Sequence, residues 1–199
     1  MTYTKLFLTI IFAFFLIIQP AVGQSAWKAM RPATSGDLVA VYFTGAQTGW
    51  VAGDNGYLAS TSDGGTTWNK FALNTTDDIN EIYFRNDKNG YLVAGRKMFI
   101  TDNGGNTWRE TRIFRSSAFK NATPEFLSIR FADKKKGLAI GSLLSVKGNV
   151  IDSVVMRTDD GGDTWSRIEV PAKVELFHLD FNGSSRGWIV GDKGLILAT

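Results

Sequence analysis

An eight-residue phrase occurs three times in this chain. It reads TSDGGTTW at residues 61–68, TDNGGNTW at 101–108 and TDDGGDTW at 158–165. Six of its positions follow one rule, with Thr first, Asp or Asn third, Gly fourth and fifth, Thr seventh and Trp eighth. Repetition of this kind is typical of folds that stack copies of one supersecondary unit.

The sequence before each phrase repeats as well. An alternating apolar segment is followed by a Gly-rich one, as in GWVAGDNGYLAST at residues 49–61, which returns as GWIVGDKGLILAT at 187–199. The apolar segments end in Phe43, Phe84, Phe131 and Phe181, which are 41, 47 and 50 residues apart. These spacings match the roughly 40–50 residues of a β-propeller blade rather than a helical repeat.

Period-two alternation and turn residues predict an all-β propeller built from four-stranded blades. In the first unit the strands are predicted at 39–43, 49–53, 57–61 and 68–71. The blades are expected to start near residues 39, 79, 126 and 176. The third unit carries an insertion at 142–153, which predicts a longer hairpin, after a long polar linker at 113–125.

The repeated phrase has a structural explanation. An Asp or Asn side chain in a turn accepts hydrogen bonds from nearby N–H groups, paired glycines let the backbone fold around it, and the Trp packs between sheets. Asn103 replaces the aspartate of the other copies, and a neutral amide suits an acceptor better than a cation ligand. We therefore predict no metal and no other cofactor. The expected turn residues are Thr61, Asp63, Gly65, Thr67, Trp68, Thr101, Asn103, Gly105, Thr107, Trp108, Thr158, Asp160, Gly162, Thr164 and Trp165.

The N-terminus has the layout of a targeting segment. Residues 6–18 read LFLTIIFAFFLII, after Lys5 and before Pro20 and a run of small residues. This predicts a signal peptide at 1–23 and a propeller at 24–199 outside the cytoplasm, whether secreted, periplasmic or at the cell surface. The alternative is an uncleaved segment, which would be the chain's only membrane attachment.

Composition excludes several classes of protein. The chain has no cysteine and one histidine, which excludes disulfides, cysteine-based zinc sites, a cysteine nucleophile and a cysteine-linked lipid anchor. The formal net charge is +3 with both signs interspersed, so no nucleic-acid partner is predicted. No catalytic residues are assigned either, because the G-x-S-x-G match at 183–187 lies in a predicted hairpin without a following helix.

The phrase S/T-x-D-x-G-x-T-W is the Asp-box, or bacterial neuraminidase repeat. Together with GWVAGDNGYLAST it resembles the photosystem II stability and assembly factor family over residues 27–199. The resemblance implies a non-catalytic, extracytoplasmic propeller that binds another protein as an assembly scaffold. Sialidases and xyloglucanases also carry Asp-boxes. The alternative is therefore a glycoside hydrolase that acts on carbohydrate, with an active site partly outside this chain.

Basic residues are the candidates for binding a partner, because an arginine-rich surface is implicated in gripping the client in the resembling family. They are Arg109, Arg112, Arg115, Lys134, Lys135 and Lys136. The simpler explanation is that these residues lie in solvated turns. For the hydrolase alternative the candidate carboxylates are Glu81, Asp133 and Asp180, whose separations the sequence does not give.

Both ends of the chain resemble parts of a blade. Residues 25–30 read SAWKAM, like the start of a fourth strand, with Trp27 placed 41 positions before Trp68. This predicts a ring-closing strand. The sequence stops where a fourth Asp-box would begin. Two interpretations follow: a fragment of a six- or seven-bladed propeller, or a four-bladed ring completed by Trp27.

Overall fold

The structure is a computed structural model that describes residues 28–32, 36–114, 119 and 121–199. The chain divides after residue 30, and its second unit, residues 31–199, is compact. The predicted signal peptide, Trp27, and Arg115 lie outside the described residues. Within the described ranges, no helix has the length and hydropathy that crossing a bilayer requires.

The second unit consists of four antiparallel sheets, three with four strands and the last with three. The strands are β1 Leu38–Phe43, β2 Gly49–Gly53, β3 Tyr57–Thr61, β4 Asn69–Phe71, β5 Ile79–Phe84, β6 Gly90–Ala94, β7 Lys97–Thr101, β8 Arg109–Thr111, β9 Ala122–Phe131, β10 Gly137–Ser145, β11 Val150–Thr158, β12 Ser166–Arg167, β13 Leu176–Asn182, β14 Arg186–Gly191 and β15 Ile196–Ala198. Each sheet is a meander in chain order. The predicted all-β blade architecture is confirmed.

The third sheet begins earlier than the sequence predicts. Its first strand starts at Ala122 rather than near residue 126, so part of the predicted polar linker is strand. The cause is the insertion, which lengthens β10 and β11 and extends the pairing with β9. Leu143 pairs with Pro124, and Ser145 pairs with Ala122. The turn of this long hairpin falls at residues 146–149, within the inserted segment.

Apolar clusters fill the space between successive sheets. Trp50 and Leu58 of the first sheet meet Ile82 and Phe84 of the second. A second cluster lies between the second and third sheets, and a third cluster lies between the third and fourth. The two middle sheets therefore bury both faces, which explains why their strands are apolar at consecutive positions.

The outer faces of the first and fourth sheets carry exposed apolar side chains. Val41 on β1 is 64% exposed, and Ile196 on β15 is 68% exposed. Trp188 is 41% exposed, whereas its repeat equivalent Trp50 is 4% exposed. A four-bladed ring, one of the two interpretations of the sequence, would bury these side chains between the first and fourth sheets.

The first prediction concerns Gly105. Its φ is +86°, and a Cβ there would lie 2.2 Å from Cζ2 of Trp50. We expect Gly105→Ala to lower the free energy of unfolding by about 2–4 kcal/mol, since backbone strain adds to overpacking. Gly148→Ala is the control, because φ is +78° and nothing lies within 4 Å. Gly148→Ala should lower the free energy of unfolding, measured by urea titration, by about 1–2 kcal/mol. An equal loss of unfolding free energy in both variants would contradict the contact between residue 105 and Trp50.

Candidate functional site

Each Asp-box is a closed hydrogen-bonded turn. In the first, the Thr67 N–H donates to Asp63 Oδ1 at 2.9 Å, and the Thr67 hydroxyl donates to Oδ2 at 2.7 Å. The Thr61 hydroxyl donates to Oδ1 at 2.7 Å and accepts the N–H of Gly65 at 2.9 Å. The third box repeats this pattern around Asp160. These bonds occupy both carboxylate oxygens within the turn.

The second box keeps the geometry with a neutral side chain. Asn103 Oδ1 accepts the Thr107 N–H at 3.0 Å and the Thr101 hydroxyl at 2.9 Å. The bond to the Thr107 hydroxyl is reversed, because Asn103 Nδ2 is now the donor, at 2.8 Å. In the described part of the chain, no group of three or more His, Asp or Glu residues could hold a metal ion.

The Asp-box tryptophans join sheet to sheet. Trp108 lies edge-on to Phe84 of its own sheet, with ring centroids 5.8 Å apart, and to Trp50 of the preceding sheet at 5.9 Å. Trp165 contacts Phe131 in the same way at 6.2 Å. The second and third turns therefore place Trp108 and Trp165 against the apolar clusters between sheets.

Hydrogen bonding in the turns lowers the pKa of two carboxyls. The hydroxyl and N–H of Thr67 lower the pKa of Asp63 from 3.8 to about 2, and the same groups of Thr164 lower that of Asp160 to about 2. A carboxyl with a depressed pKa in the folded state stabilises the fold above its unfolded pKa. That stabilisation is lost as pH falls through the folded value.

The second prediction follows from these shifts. We expect the urea midpoint of the protein to fall between pH 4 and pH 2, and the Asp63→Asn/Asp160→Asn variant to lose part of this fall. The variant should still fold, because the second box already works with Asn103. Asn103→Asp is the reverse control and should steepen the acid dependence. Identical acid profiles for all three proteins would contradict the role of the carboxylates.

The structure separates the predicted basic residues. Lys134, Lys135 and Lys136 are exposed in the β9–β10 turn, beside the third Asp-box, where the Gly161 N–H donates to the Lys135 carbonyl at 2.8 Å. Arg109 starts β8 at this same Asp-box end and lies 3.6 Å from Asp163. Aspartates are interspersed with these cations, so the charge of this face is mixed.

Arg112 follows β8 and lies toward the opposite end, next to the β6–β7 turn. There an open groove of about 440 Å³ is lined by Arg96, Lys97 and Arg112 together with Ile113 and Phe114. We call this the basic groove; its remaining lining residues are Glu110, Thr111, Ala122, Thr123 and Pro124. The sequence reasoning missed Arg96 and Lys97. The available signal was that two cations, Arg96 in this turn and Lys97 at the start of β7, stand where the first unit has Gly56 and Tyr57.

Glu81 joins the second sheet to the third. Its Oε1 lies 2.5 Å from Arg130 Nη1, and its Oε2 accepts the N–H of Ile129 at 2.6 Å. At the equivalent position one sheet further on, Ser128 Oγ accepts the N–H of Leu179 at 3.4 Å. At this position the side chain of one first strand accepts a backbone N–H of the next sheet's first strand. We call this contact the inter-sheet latch, and it accounts for the buried carboxylate without catalysis.

The other two candidate carboxylates lie apart from this latch. Asp133 sits in the β9–β10 turn, where it accepts the N–H groups of Lys135 and Lys136 at 2.7 and 2.8 Å. The N–H of Lys136 and then that of Lys135 lower the pKa of Asp133. Asp180 is exposed on β13. Glu81 thus lies in the inter-sheet latch, Asp133 lies in a turn, and Asp180 lies on an exposed strand face.

The sequence reasoning also missed a repeated acidic position. A carboxylate stands six residues before the terminal phenylalanine of each first strand, at Asp37, Asp78, Glu125 and Glu175. Burial, followed by the charges of Glu175 and Asp78, raises the pKa of Glu125. Asp78 also accepts the N–H of Asn55 at 2.8 Å and so ties one sheet to the next. The repeat register itself was the signal for this set.

The four packed meander sheets and their three Asp-box turns define an Asp-box β-propeller. A sequence profile of the family described as photosynthesis system II assembly factor YCF48 matches residues 19–81 and 67–175. The chain belongs to this family. The family resemblance inferred from the repeated motifs is confirmed.

Individual relatives agree with this assignment. The photosystem II assembly lipoprotein Ycf48 of Synechococcus sp. (strain CC9902) is 27% identical over 181 residues, covering 88% of this chain and 49% of the relative. The chain thus spans about half the length of this relative. A solved structure of YCF48 bound to D1 peptide superposes with a TM-score of 0.65 and 22% identity, covering 90% of this chain and 55% of that one. The GH74 xyloglucanase from Xanthomonas campestris shares the fold, with a TM-score of 0.60 and 15% identity, over 82% of this chain and 28% of that chain.

Proposed function

We propose that this chain is a non-catalytic, extracytoplasmic propeller module that holds a segment of a client protein, as an assembly scaffold does. The observation that carries the proposal is the basic groove, where two exposed arginines stand beside a partly buried aromatic ring. Arg96 and Arg112 provide the cations, and Phe114 provides the apolar contact. Membership of an assembly-factor family and the family relative solved with a D1 peptide support a protein client.

The charges of the groove favour an acidic segment. Lys97 is already engaged, since its ammonium lies 3.2 Å from Asp77 and donates to the Thr75 hydroxyl at 3.2 Å. Neither Arg96 nor Arg112 has an ion pair among the described residues. Two guanidinium groups on a concave surface suit carboxylates, which they bind with paired, charge-assisted hydrogen bonds. An extended peptide with Asp or Glu side chains and one apolar residue fits this description.

The third prediction tests the groove. A fluorescein-labelled peptide that alternates Asp and Leu should bind the whole chain, and Arg96→Glu/Arg112→Glu should weaken binding by about tenfold or more, as expected for losing charge-assisted hydrogen bonds. Fluorescence anisotropy measures both affinities. The Asn-for-Asp version of the peptide should bind weakly to either protein.

Lys135→Glu is the matched control, because it reverses one charge at the Asp-box end, away from the groove. It should leave the affinity within about twofold. A loss as large as that of the arginine variant would assign peptide binding to the Asp-box end instead. Unchanged binding by the arginine variant would contradict the proposal.

The hydrolase alternative has less support from the geometry, because Glu81 is held by Arg130 and the Ile129 N–H while Asp133 is held within its own turn. The fourth prediction is that the chain does not release reducing ends from xyloglucan or methylumbelliferone from its sialoside. Asp180→Asn serves as the control variant, since Asp180 is the exposed candidate carboxylate. Turnover that this variant abolishes would establish the alternative.

A further inference from the structure

One cation of the basic groove is already paired within the chain. The Lys97 ammonium lies 3.2 Å from Asp77 Oδ2 and donates to Thr75 Oγ1 at 3.2 Å. The Asp77 N–H donates to the same hydroxyl at 3.1 Å, so the three residues form one hydrogen-bonded group. We call the contact between Lys97 and Asp77 the internal ion pair. Within the described residues, the other two cations of the groove, Arg96 and Arg112, have no ion pair.

The blade fold does not require the internal ion pair. Asp77 stands seven residues before the terminal phenylalanine of its first strand, and Lys97 stands four residues before the threonine that opens its Asp-box. The same two positions hold Gly36 and Tyr57 in the first unit, Pro124 and Val154 in the third, and Val174 and Leu195 in the fourth. The other three units thus form their sheets without either charge. Both charges enter together, in the unit whose β6–β7 turn borders the groove.

The loop between β4 and β5 holds Asp77 in place. The loop spans residues 72–78, and within it the Thr75 N–H donates to the Leu73 carbonyl at 2.9 Å. On the other side of Asp77, Asp78 accepts the N–H of Asn55 at 2.8 Å and ties the loop to the preceding sheet. The carboxylate therefore meets the ammonium from a backbone that is already fixed, which limits the entropy lost on pairing.

The internal ion pair is exposed enough to be exchanged for another one. The Lys97 side chain is 27% exposed and the Asp77 side chain is 39% exposed. Pairs at this exposure contribute little to stability, because water and salt screen them and both side chains lose freedom. A carboxylate from outside would gain about as much from the ammonium as Asp77 does. It has to displace Asp77, however, instead of entering an empty place.

We infer that Asp77 is an internal competitor for client carboxylates and thereby sets the affinity of the basic groove. The inference rests on the proposed function of this groove. With Asp77 in place, an acidic segment meets two free guanidinium groups and one occupied ammonium. Removing the Asp77 charge releases Lys97 as a third contact, so segments with three carboxylates bind more tightly and dissociate more slowly. Asp77 is thus a specificity-determining residue that acts through Lys97.

The test compares Asp77→Asn with the wild-type chain, using the fluorescein-labelled peptide that alternates Asp and Leu and the same anisotropy measurement. We expect the variant to bind about three- to tenfold more tightly, as one added charge-assisted contact predicts. The variant should fold, because glycine, proline and valine stand at this position in the other units. Asp78→Asn is the matched control. It removes an equal charge one residue away and keeps an oxygen for the Asn55 N–H, so affinity should stay within about twofold.

Lys97→Met identifies the cation through which Asp77 acts. In the Lys97→Met chain, adding Asp77→Asn should change the affinity by less than about twofold, because no ammonium is left to release. Direct repulsion of the peptide by Asp77 predicts instead the same gain with and without Lys97. Equal gains in the two backgrounds would overturn the inference. So would a gain from Asp78→Asn as large as that from Asp77→Asn.

The Arg96→Glu/Arg112→Glu variant separates this inference from the proposed function. If the wild-type chain binds the peptide and the arginine variant does not, the groove is the binding site. Equal affinities of the wild-type chain and Asp77→Asn then overturn the inference alone. If neither the wild-type chain nor Asp77→Asn binds, the inference and the proposed function both fail. Binding by Asp77→Asn alone supports the inference, because release of Lys97 then makes the groove competent.

Discussion

The hydrogen bonds inside the Asp-box turns hold the rest of the structure in position. The fourth strands that follow these turns have only two or three residues, too few to hold a sheet edge on their own. The turn supplies the missing order, because the side chain of Asp63, Asn103 or Asp160 fixes the backbone just before the indole. With the indole fixed, each of these sheets gains an edge-on contact between its Asp-box Trp and the terminal Phe of its first strand, and this geometry recurs at Trp68, Trp108 and Trp165.

Much of this fold could be predicted because the same pattern of strands and turns occurs several times in the sequence. Strands β2 and β3 match their predicted bounds, since each repeat gave the same alternation and the turn residues marked the ends. The early start of β9 could not be predicted in this way. It arises from pairing with a lengthened neighbour, which no other repeat contains. Local pattern fixes a strand, but its partner decides how far the strand extends.

The site was less predictable than the fold. Arg109 and Arg112 are close in sequence, yet the strand between them carries one toward Asp163 and the other into the basic groove. Glu81 and Arg130 are 49 residues apart in the chain and meet only because their sheets are neighbours. Charge clusters in a repeat protein are better read by strand position and repeat register than by proximity along the chain.

The long β10–β11 hairpin gives this propeller a loop that can accept inserted sequence. Residues 146–149 protrude from the third sheet, and the Ser145–Asn149 backbone pairing closes the loop beneath them. Foreign sequence spliced between Lys147 and Gly148 would disturb no interface between sheets, because solvent surrounds this loop. The hairpin tip is thus a natural grafting position for an epitope or a fluorescent label.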